Sequence, residues 1–329
     1  MSKESRVGVQ IIPADVETIL DYEPFIATLP KIDEITPVVG GVAHRVFQIM
    51  SDSSKYYLKI RGDRFASVPE IMCNPEDIIF EYRALSAFHQ IAPDNFPQIF
   101  AFNKDRHYLI LSDAMPNGEK MEDLFLKREV TPKMLFNLGR TLAQIHEASS
   151  SCHEAVRPDG DDEYYQTVLG HRFGYRRNPV LDNLVQSLST LGYKQLILGD
   201  VSPKNIGVNN DGELFIFFDL ETAHQGDRVF DYAYFLGHIL IHSLVSQDAI
   251  LAVESYVQGY DQQNFDESVV KKIALGTMLY RLRSIISYPT GLDAEQTALL
   301  EQKIESILLQ DLSRSDWLKI ITIIQHGQK

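Results

Sequence analysis

Two acidic side chains and one amide occur between residues 199 and 219 at a spacing that suits phosphoryl transfer. Asp200 follows a short apolar run, Asn205 comes five residues later, and Asp219 ends a second apolar run. In such a set, one carboxylate orients the acceptor hydroxyl and accepts its proton, while the amide and the other carboxylate hold Mg²⁺ against the phosphates of a nucleotide. The simpler interpretation is that Asp and Asn are ordinary turn formers here.

The apolar runs beside these residues indicate the elements that must position them. Residues 196–198 and 214–218 have the composition of strands, and the Asn-Asn-Asp-Gly sequence at 209–212 is a turn signal after Gly207-Val208. We therefore expect a hairpin that presents the two carboxylates and the amide oxygen at one end. From residue 229 onward nearly all of the sequence has helical character.

The first third of the chain has the alternating pattern of short strands, with one helical stretch between them. After residue 116 the sequence becomes helical, and one helix is expected to open at Thr131-Pro132. A small β-rich front lobe and a larger α-rich rear lobe follow. The expected front-lobe elements are strands at 45–50, 55–60, 98–102 and 107–111, a short helix at 15–20, and a helix at 75–90 whose apolar stripe is Ile78, Ile79, Tyr82, Leu85 and Phe88.

The segment from residue 199 to residue 219 resembles the catalytic and metal-binding loops of the aminoglycoside phosphotransferase and choline kinase-like family. That family's pattern is Gly-Asp, four residues, Asn, and then an apolar strand ending in Asp. The run at 226–233 is similar to the family's Gly-Asp…Asp-Leu-Ala element. The resemblance implies an α+β, protein kinase-like two-lobe fold, with a nucleotide-binding lobe at 1–115 (residues 1–35 being a helical extension) and a catalytic and acceptor-binding lobe at 116–329.

The same resemblance implies a role for each residue of the catalytic segment. Asp200 would be the catalytic base, and Asn205 and Asp219 would be the Mg²⁺ ligands. Inside the loop, Ser202 would donate a hydrogen bond to the γ-phosphate and Lys204 would add positive charge there. For Lys204, a plain surface lysine is an equally good interpretation.

The bracing of this loop is also implied by the resemblance. Asp231 would hold the catalytic loop from a helix start, without reacting. His146 ends a helical stripe and is interpreted as a packing or loop-bracing histidine, since no second His follows at metal-binding spacing. Arg172, Arg176 and Arg177 form a small basic cluster that we interpret as a surface face.

The front lobe carries candidates for nucleotide binding in the order that the family has them. Lys59, on a strand between apolar neighbours, resembles the lysine that pairs with the phosphates, and Glu81 would be its ion-pair partner. Residues 111–115 would form the hinge whose backbone reads adenine. The expected nucleotide contacts outside the catalytic loop are therefore Gly40, Gly41, Lys59, Glu81, Asp113 and Met115. The alternatives are a plain glycine loop, a solvated strand lysine and a helix-face charge.

One departure from the family pattern keeps a second hypothesis open. Leu198 stands where the family has a His before Gly-Asp. A kinase-like protein that binds a nucleotide or a partner, with weak or no catalysis, is therefore the alternative to an ATP- and Mg²⁺-dependent small-molecule kinase. A protein kinase is less attractive, because no Asp-Phe-Gly or Ala-Pro-Glu element brackets an activation loop.

The charge of the chain limits its partners. It has 31 Lys and Arg against 45 Asp and Glu, a formal net charge of −14. This acidity argues against nucleic acid and against an anionic membrane surface, and it favours a cationic small molecule as acceptor. Two cysteines and no recognisable targeting segment indicate a reducing, cytoplasmic setting. The sequence carries no signal for the oligomeric state.

Overall fold

The computed structural model describes residues 13–39, 43–115, 118–152, 156–157, 168–170, 172–173, 178–189, 195–242, 244, 248–261, 265–283 and 290–325. The chain divides into two compact units, residues 1–116 and 117–329. Gly40 and Gly41, expected to cover the phosphates, lie outside the described residues, as do Arg176 and Arg177. Of the helices that are described, none has both the length and the apolar character needed to cross a bilayer.

The first unit is built on a five-stranded antiparallel sheet. Its strands are β1 (Glu34–Val38), β2 (His44–Ser51), β3 (Ser54–Arg61), β4 (Ile99–Asn103) and β5 (Tyr108–Ser112), in the order β1-β2-β3-β5-β4. The four strands expected from the sequence are all present. We did not predict β1, because it contains Pro37 and is only partly buried, as an edge strand can be.

Two short helices precede the sheet, where a single one was expected. They are α1 (Ala14–Tyr22) and α2 (Pro24–Thr28), and the Glu23 side chain between them accepts the amide hydrogen of Phe25. Their apolar side chains pack on one face of the sheet and complete the core of this unit. That core includes Val16, Ile19, Leu20, Ile26, Phe47, Ile49, Leu58, Ile60 and Ile110.

The helix of the first unit, α3 (Ile78–Ile91), follows a 3₁₀ turn at Pro75–Asp77 that is capped by the Asn74 side chain. Its buried face differs from the stripe that the sequence indicates. Tyr82 and Ile79 are only half-buried, whereas Glu81 occupies a fully buried position. The buried residues of the helix are Ile78, Glu81, Ala84, Leu85 and Phe88. A carboxylate therefore lies where the helical period would place an apolar side chain.

The second unit contains two small sheets. One has β6 (Gly118–Lys120), β8 (Ile206–Asn209) and β9 (Phe215–Phe217) in the order β6-β8-β9. The other pairs β7 (Gln195–Ile197) with β10 (His224–Gly226). The β8–β9 hairpin agrees with the expected one. The strand before Asp200 belongs to the second sheet, however, so the three candidate side chains come from two sheets and not from one hairpin.

The rest of the second unit is helical, as its sequence indicates. The helices are α4 (Met121–Lys127), α5 (Pro132–Ser149), α6 (Pro179–Ser189), α7 (Arg228–His242), α8 (Ala249–Tyr260), α9 (Glu267–Arg283), α10 (Ala294–Leu308) and α11 (Trp317–Gln325). Thr131 caps α5 through the amide of Met134, as expected. Helices α7 and α9 approach closely at Gly237, where an added Cβ would lie 2.6 Å from the Ala274 carbonyl oxygen.

Candidate functional site

A buried ion pair occupies the first unit at the predicted positions. Lys59 Nζ lies 2.7 Å from Glu81 Oε1, and the two residues are 7 % and 0 % exposed. Leu58 and Ile60 face the core, so Lys59 between them projects from the opposite face of β3, where α3 lies. A buried pair of this kind holds only where the geometry is good, which makes the ammonium a well-positioned cation.

Three further charged or polar groups surround this pair, and the sequence did not indicate them. His44 Nε2 lies 3.8 Å from Glu81 Oε2 and 3.4 Å from Arg61 Nη1. Arg61 Nη2 in turn lies 3.7 Å from Asp77 Oδ2. Arg61 is two residues from Lys59 on β3 and faces His44 across the β2–β3 register, so alternation along the strand was the available signal.

The expected hinge, residues 111–115, has an internal hydrogen bond at its C-terminal end. The Met115 amide hydrogen is donated to Asp113 Oδ1 at 2.9 Å, and Asp113 Oδ2 lies 3.8 Å from Lys55 Nζ. Burial, and then the negative charge of Asp113, raises the pKa of Tyr57 to about 12. The Met115 amide is thus already bonded, and an adenine ring would have to be read by other backbone groups of residues 111–115.

In the second unit, Asp200 lies in the loop that joins β7 to β8. The Asn205 Nδ2 group donates to its Oδ2 at 3.1 Å, and the Ser202 amide donates to its backbone oxygen at 2.8 Å. Lys204 Nζ is 3.7 Å from Oδ2 and Arg172 Nη2 is 3.6 Å from Oδ1. Asp200 and Asn205 are therefore brought together as the spacing predicts.

The charges around Asp200 decide its protonation. Burial acts to raise the pKa of the carboxyl, but attraction by Lys204, Arg172 and Arg281 outweighs burial and holds the pKa below its ordinary value. The nearby negative charge of Asp219 is a smaller opposing effect. Asp200 is consequently ionised at neutral pH and can accept a hydrogen bond from a hydroxyl group.

Asp219 lies two residues after the second strand of the hairpin. Its backbone is left-handed, with φ +63°, and the preceding amide, of Phe218, donates to the Asn205 carbonyl oxygen at 3.0 Å. Asp219 and Asn205 thus stand at the same end of the β8–β9 hairpin. The Asn205 amide nitrogen is directed to Asp200. The Asn205 Oδ1 and the Asp219 carboxylate are oxygen atoms of the kind that Mg²⁺ prefers as ligands.

Asp231, at the start of α7, braces the loop before Asp200, as the resemblance implies. Its two oxygens accept the amide hydrogens of Leu198 (2.7 Å) and Gly199 (2.9 Å). His146 Nε2 lies 3.2 Å from the same carboxylate, and His146 Nδ1 lies 2.7 Å from the Tyr260 hydroxyl. His146 is thus a buried residue that packs on Tyr260 and contacts the carboxylate that braces the loop, in agreement with the prediction of a packing or loop-bracing histidine.

Removing the Asp231 carboxylate should lower the stability of the folded protein. We expect Asp231→Ala to lower the free energy of unfolding by about 2–4 kcal/mol, because the mutation leaves buried amide hydrogens without an acceptor. Urea denaturation measures this. Glu254→Ala, which removes an exposed carboxylate from α8, is the control and should change stability by less than about 0.5 kcal/mol. Equal effects of the two mutations would contradict a bracing role.

The sequence interpretation of Arg172 as a surface residue is wrong. Arg172 is 7 % exposed, donates to the Gly199 carbonyl oxygen, and has its Cζ 4.4 Å from the centre of the Tyr234 ring. It also contacts Asp200, as described above. Arg281 and His238, on α9 and α7, were missed as well, because their helices have the composition of core helices and the local sequence gives no sign of what they meet.

Comparison with known proteins identifies the relatives of this chain. A sequence model of the phosphotransferase enzyme family, abbreviated APH, matches residues 34–272, more than half of the chain. A comparison with curated protein sequences gave no match.

Among solved structures, a choline/ethanolamine kinase family protein from Mesorhizobium loti is similar at 13 % identity and a TM-score of 0.56, over 95 % of this chain and 99 % of the other. Choline kinase LicA from Streptococcus pneumoniae is similar at 11 % identity and 0.53, over 95 % and 97 %. The GDP and kanamycin complex of APH(2")-IIIa is similar at 15 % identity and 0.51, over 94 % and 98 %.

At these identities the solved structures show the fold, which is the protein kinase-like fold that the sequence indicates. The match to the family model covers the elements that carry Lys59, Asp200 and Asp219. The chain belongs to the phosphotransferase enzyme family.

Proposed function

We propose that this protein transfers the γ-phosphate of ATP to a hydroxyl group of a small molecule, in a reaction that depends on Mg²⁺. The observation that carries the proposal is the state of Asp200. Asp200 is an ionised carboxylate that accepts a hydrogen bond from the Asn205 amide. The Asp231 side chain braces the loop that carries it. The first unit contributes Lys59, held by Glu81, as the cation for the nucleotide phosphates.

Asp200 acts mainly by orienting the acceptor. A carboxylate whose pKa is held low is a weak base, but it is a strong acceptor for the hydrogen of a hydroxyl group. Phosphoryl transfer has a loose transition state in most analyses, so alignment of the hydroxyl matters more than early removal of its proton. The proton passes to Asp200 as the new P–O bond forms.

The oxygen donors of Asn205 and Asp219 fit Mg²⁺, which prefers a few hard protein ligands and fills its remaining positions with water and phosphate. These two residues would hold the ion, and the ion would neutralise charge on the nucleotide phosphates. The Asn205 amide has two functions in this proposal, since its Nδ2 group bonds Asp200 while its Oδ1 is presented to the ion.

Two loop residues support phosphate binding beside Asp200. The Ser202 hydroxyl is fully buried and has no hydrogen-bond partner among the described residues, as expected of a group that donates to a phosphate oxygen. Lys204 is part of the charge that surrounds Asp200. We propose that both contact the transferred phosphoryl group.

A screen of acceptors tests the proposal. We expect release of ADP from ATP to require Mg²⁺ and to rise at least tenfold over the rate without acceptor for one member of a panel of sugars, amino-alcohols, hydroxy acids and aminoglycosides. ADP is measured by a coupled assay, and GTP is tested in parallel because GDP occupies one of the structures of the same fold.

Variants and nucleotide binding separate this function from its alternative. Lys59→Met should abolish the rise in melting temperature that ATP and Mg²⁺ produce, whereas Lys104→Met, in the exposed turn between β4 and β5, should retain it. Clear nucleotide binding by the wild-type protein without turnover of any acceptor would overturn the proposal and favour a nucleotide-binding protein that does not catalyse. Leu198 gives that alternative little support, since its backbone is braced by Asp231 without a histidine side chain.

A further inference from the structure

A buried arginine near Asp200 has a side-chain nitrogen without a hydrogen-bond acceptor among the described residues. Arg281, on α9, is 4 % exposed, and its charge lowers the pKa of Asp200 and acts on His238 and His242 as well. Among the described residues no group accepts a hydrogen bond from Arg281 Nε. The carboxylate on which its charge acts, Asp200, is already in contact with Asn205, Lys204 and Arg172. A buried guanidinium nitrogen without an acceptor destabilises the folded protein, and an anion that accepts its hydrogen would remove that cost.

A second buried polar side chain, that of His238, also lacks hydrogen-bond partners among the described residues. His238, on α7, is fully buried, and in the described part of the chain neither ring nitrogen has a hydrogen-bond partner. Burial, and then the charge of Arg281, holds the pKa of His238 well below its ordinary value. The ring is therefore neutral and offers one N–H donor, which suits an anionic or polar ligand.

His238 is connected to the loop of Asp200 through one set of contacts, and Arg281 acts on both His238 and Asp200 through its charge. The His238 ring packs edge-on against the Tyr234 ring with centroids 5.0 Å apart. The Arg172 guanidinium lies on the same Tyr234 ring and reaches Asp200 with Nη2 at 3.6 Å. Arg172 is bonded to the Gly199 carbonyl and contacts Asp200, whereas Arg281 Nε has no hydrogen-bond acceptor among the described residues. The vacant binding capacity is thus on Arg281 and His238.

The local charge is opposite in sign to the charge of the whole chain. Exposed charges separated by more than about 8 Å are largely screened at physiological salt, while buried charges are screened much less. The positive groups around Asp200 therefore act on an acceptor more strongly than the net charge of −14 does. Three positive groups, Arg172, Lys204 and Arg281, act at this site against two carboxylates, Asp200 and Asp219, so the cationic acceptor expected from composition would meet net repulsion.

We propose that the acceptor carries an anionic group, a carboxylate or a phosphate, that binds Arg281 and His238 while its hydroxyl group is oriented by Asp200. The inference rests on the proposed function, because it names the acceptor of that reaction. The acceptor would then be a hydroxy acid, a sugar acid or a sugar phosphate. Arg281 would bind the anion with two parallel hydrogen bonds, which a guanidinium forms readily with carboxylate and phosphate oxygens.

Matched acceptors test the charge of the substrate in the full-length protein. Glycerol and glucose are compared with glycerate, gluconate and glucose 6-phosphate, and choline and kanamycin serve as cationic acceptors. We expect kcat/KM to be at least tenfold higher for an anionic member than for its neutral counterpart. Gluconate and glucose 6-phosphate distinguish a carboxylate from a phosphate as the bound group.

Variants of Arg281 assign the effect to this residue. Arg281→Gln should raise KM for the anionic acceptor about 10- to 100-fold and change KM for ATP less than twofold, because a hydrogen bond between two charged groups is lost. Arg281→Lys should restore part of the affinity. Lys272→Gln, which removes a partly exposed charge from the same helix, is the control and should behave like the wild type.

A binding measurement separates failure of this inference from failure of the proposed function. With saturating ADP and Mg²⁺, gluconate or glucose 6-phosphate should raise the melting temperature of the wild type but not that of Arg281→Gln. If this difference in melting temperature is seen but no acceptor is phosphorylated, the anion site is supported and the proposed catalytic function is contradicted. Turnover of neutral or cationic acceptors alone would overturn the anion site, as would an increase in KM for ATP in Arg281→Gln. If that variant does not fold, the wild-type preference between gluconate and glucose decides.

Discussion

Replacing Asp200 by Asn is expected to lower kcat for phosphoryl transfer about 1000-fold and to leave the affinity for ATP and Mg²⁺ within about threefold of the wild type. The amide keeps the size of the side chain, but it removes the charge that, in the proposed function, orients the acceptor hydroxyl and accepts its proton. Initial rates of ADP release and nucleotide titrations measure the two quantities separately.

The control for this variant is Asp211→Asn, in the exposed turn of the β8–β9 hairpin, which should retain wild-type rates. The pH dependence gives a further check. Since the pKa of Asp200 is held below the ordinary value of 3.8, the carboxylate stays ionised as the pH falls, and no loss of activity between pH 7 and pH 5 should come from this group. A rate for Asp200→Asn within tenfold of the wild type would contradict its assignment.

Replacing Asp219 by Asn is expected to have the next largest effect. We expect kcat at physiological Mg²⁺ to fall about 100- to 1000-fold, because a carboxylate ligand contributes several kcal/mol to charge neutralisation at the phosphates. The concentration of Mg²⁺ that gives half-maximal activity should rise at least tenfold. Titration of activity with Mg²⁺ and with Mn²⁺ checks this.

The effects of Asp219→Asn and Asp200→Asn should differ in kind. High Mg²⁺ should restore part of the activity of Asp219→Asn and none of that of Asp200→Asn. Glu213→Gln, an exposed carboxylate just before β9 that pairs with Lys133 at 2.8 Å, is the matched control. If Asp219→Asn kept the Mg²⁺ dependence of the wild type, Asp219 would not be a metal ligand.

Much of the fold and the catalytic loop could be predicted because the relevant signals are local. The alternation of apolar residues defined β2, β3, β4 and β5, and a turn sequence predicted the β8–β9 hairpin. The five-residue spacing between Asp200 and Asn205 predicted that the two residues share a loop. In the structure the Asn205 side chain donates a hydrogen bond to the Asp200 carboxylate. Edge strand β1 and helix α2 are short, and their patterns were too weak to detect.

The amino-acid sequence by itself indicated the candidate chemistry, which is two carboxylates and an amide close together and Lys59 on a strand, although it assigned the first three to a single hairpin. Only the tertiary structure decided the charge that surrounds Asp200. Arg172 and Arg281 are far apart along the chain, and hydrophobic periodicity reports which face of a helix is buried but not which charges meet there. Helix α7 carries Tyr234, on which Arg172 lies, and it packs closely at Gly237 against α9, which carries Arg281. Both contacts are long-range, and no local pattern encodes them.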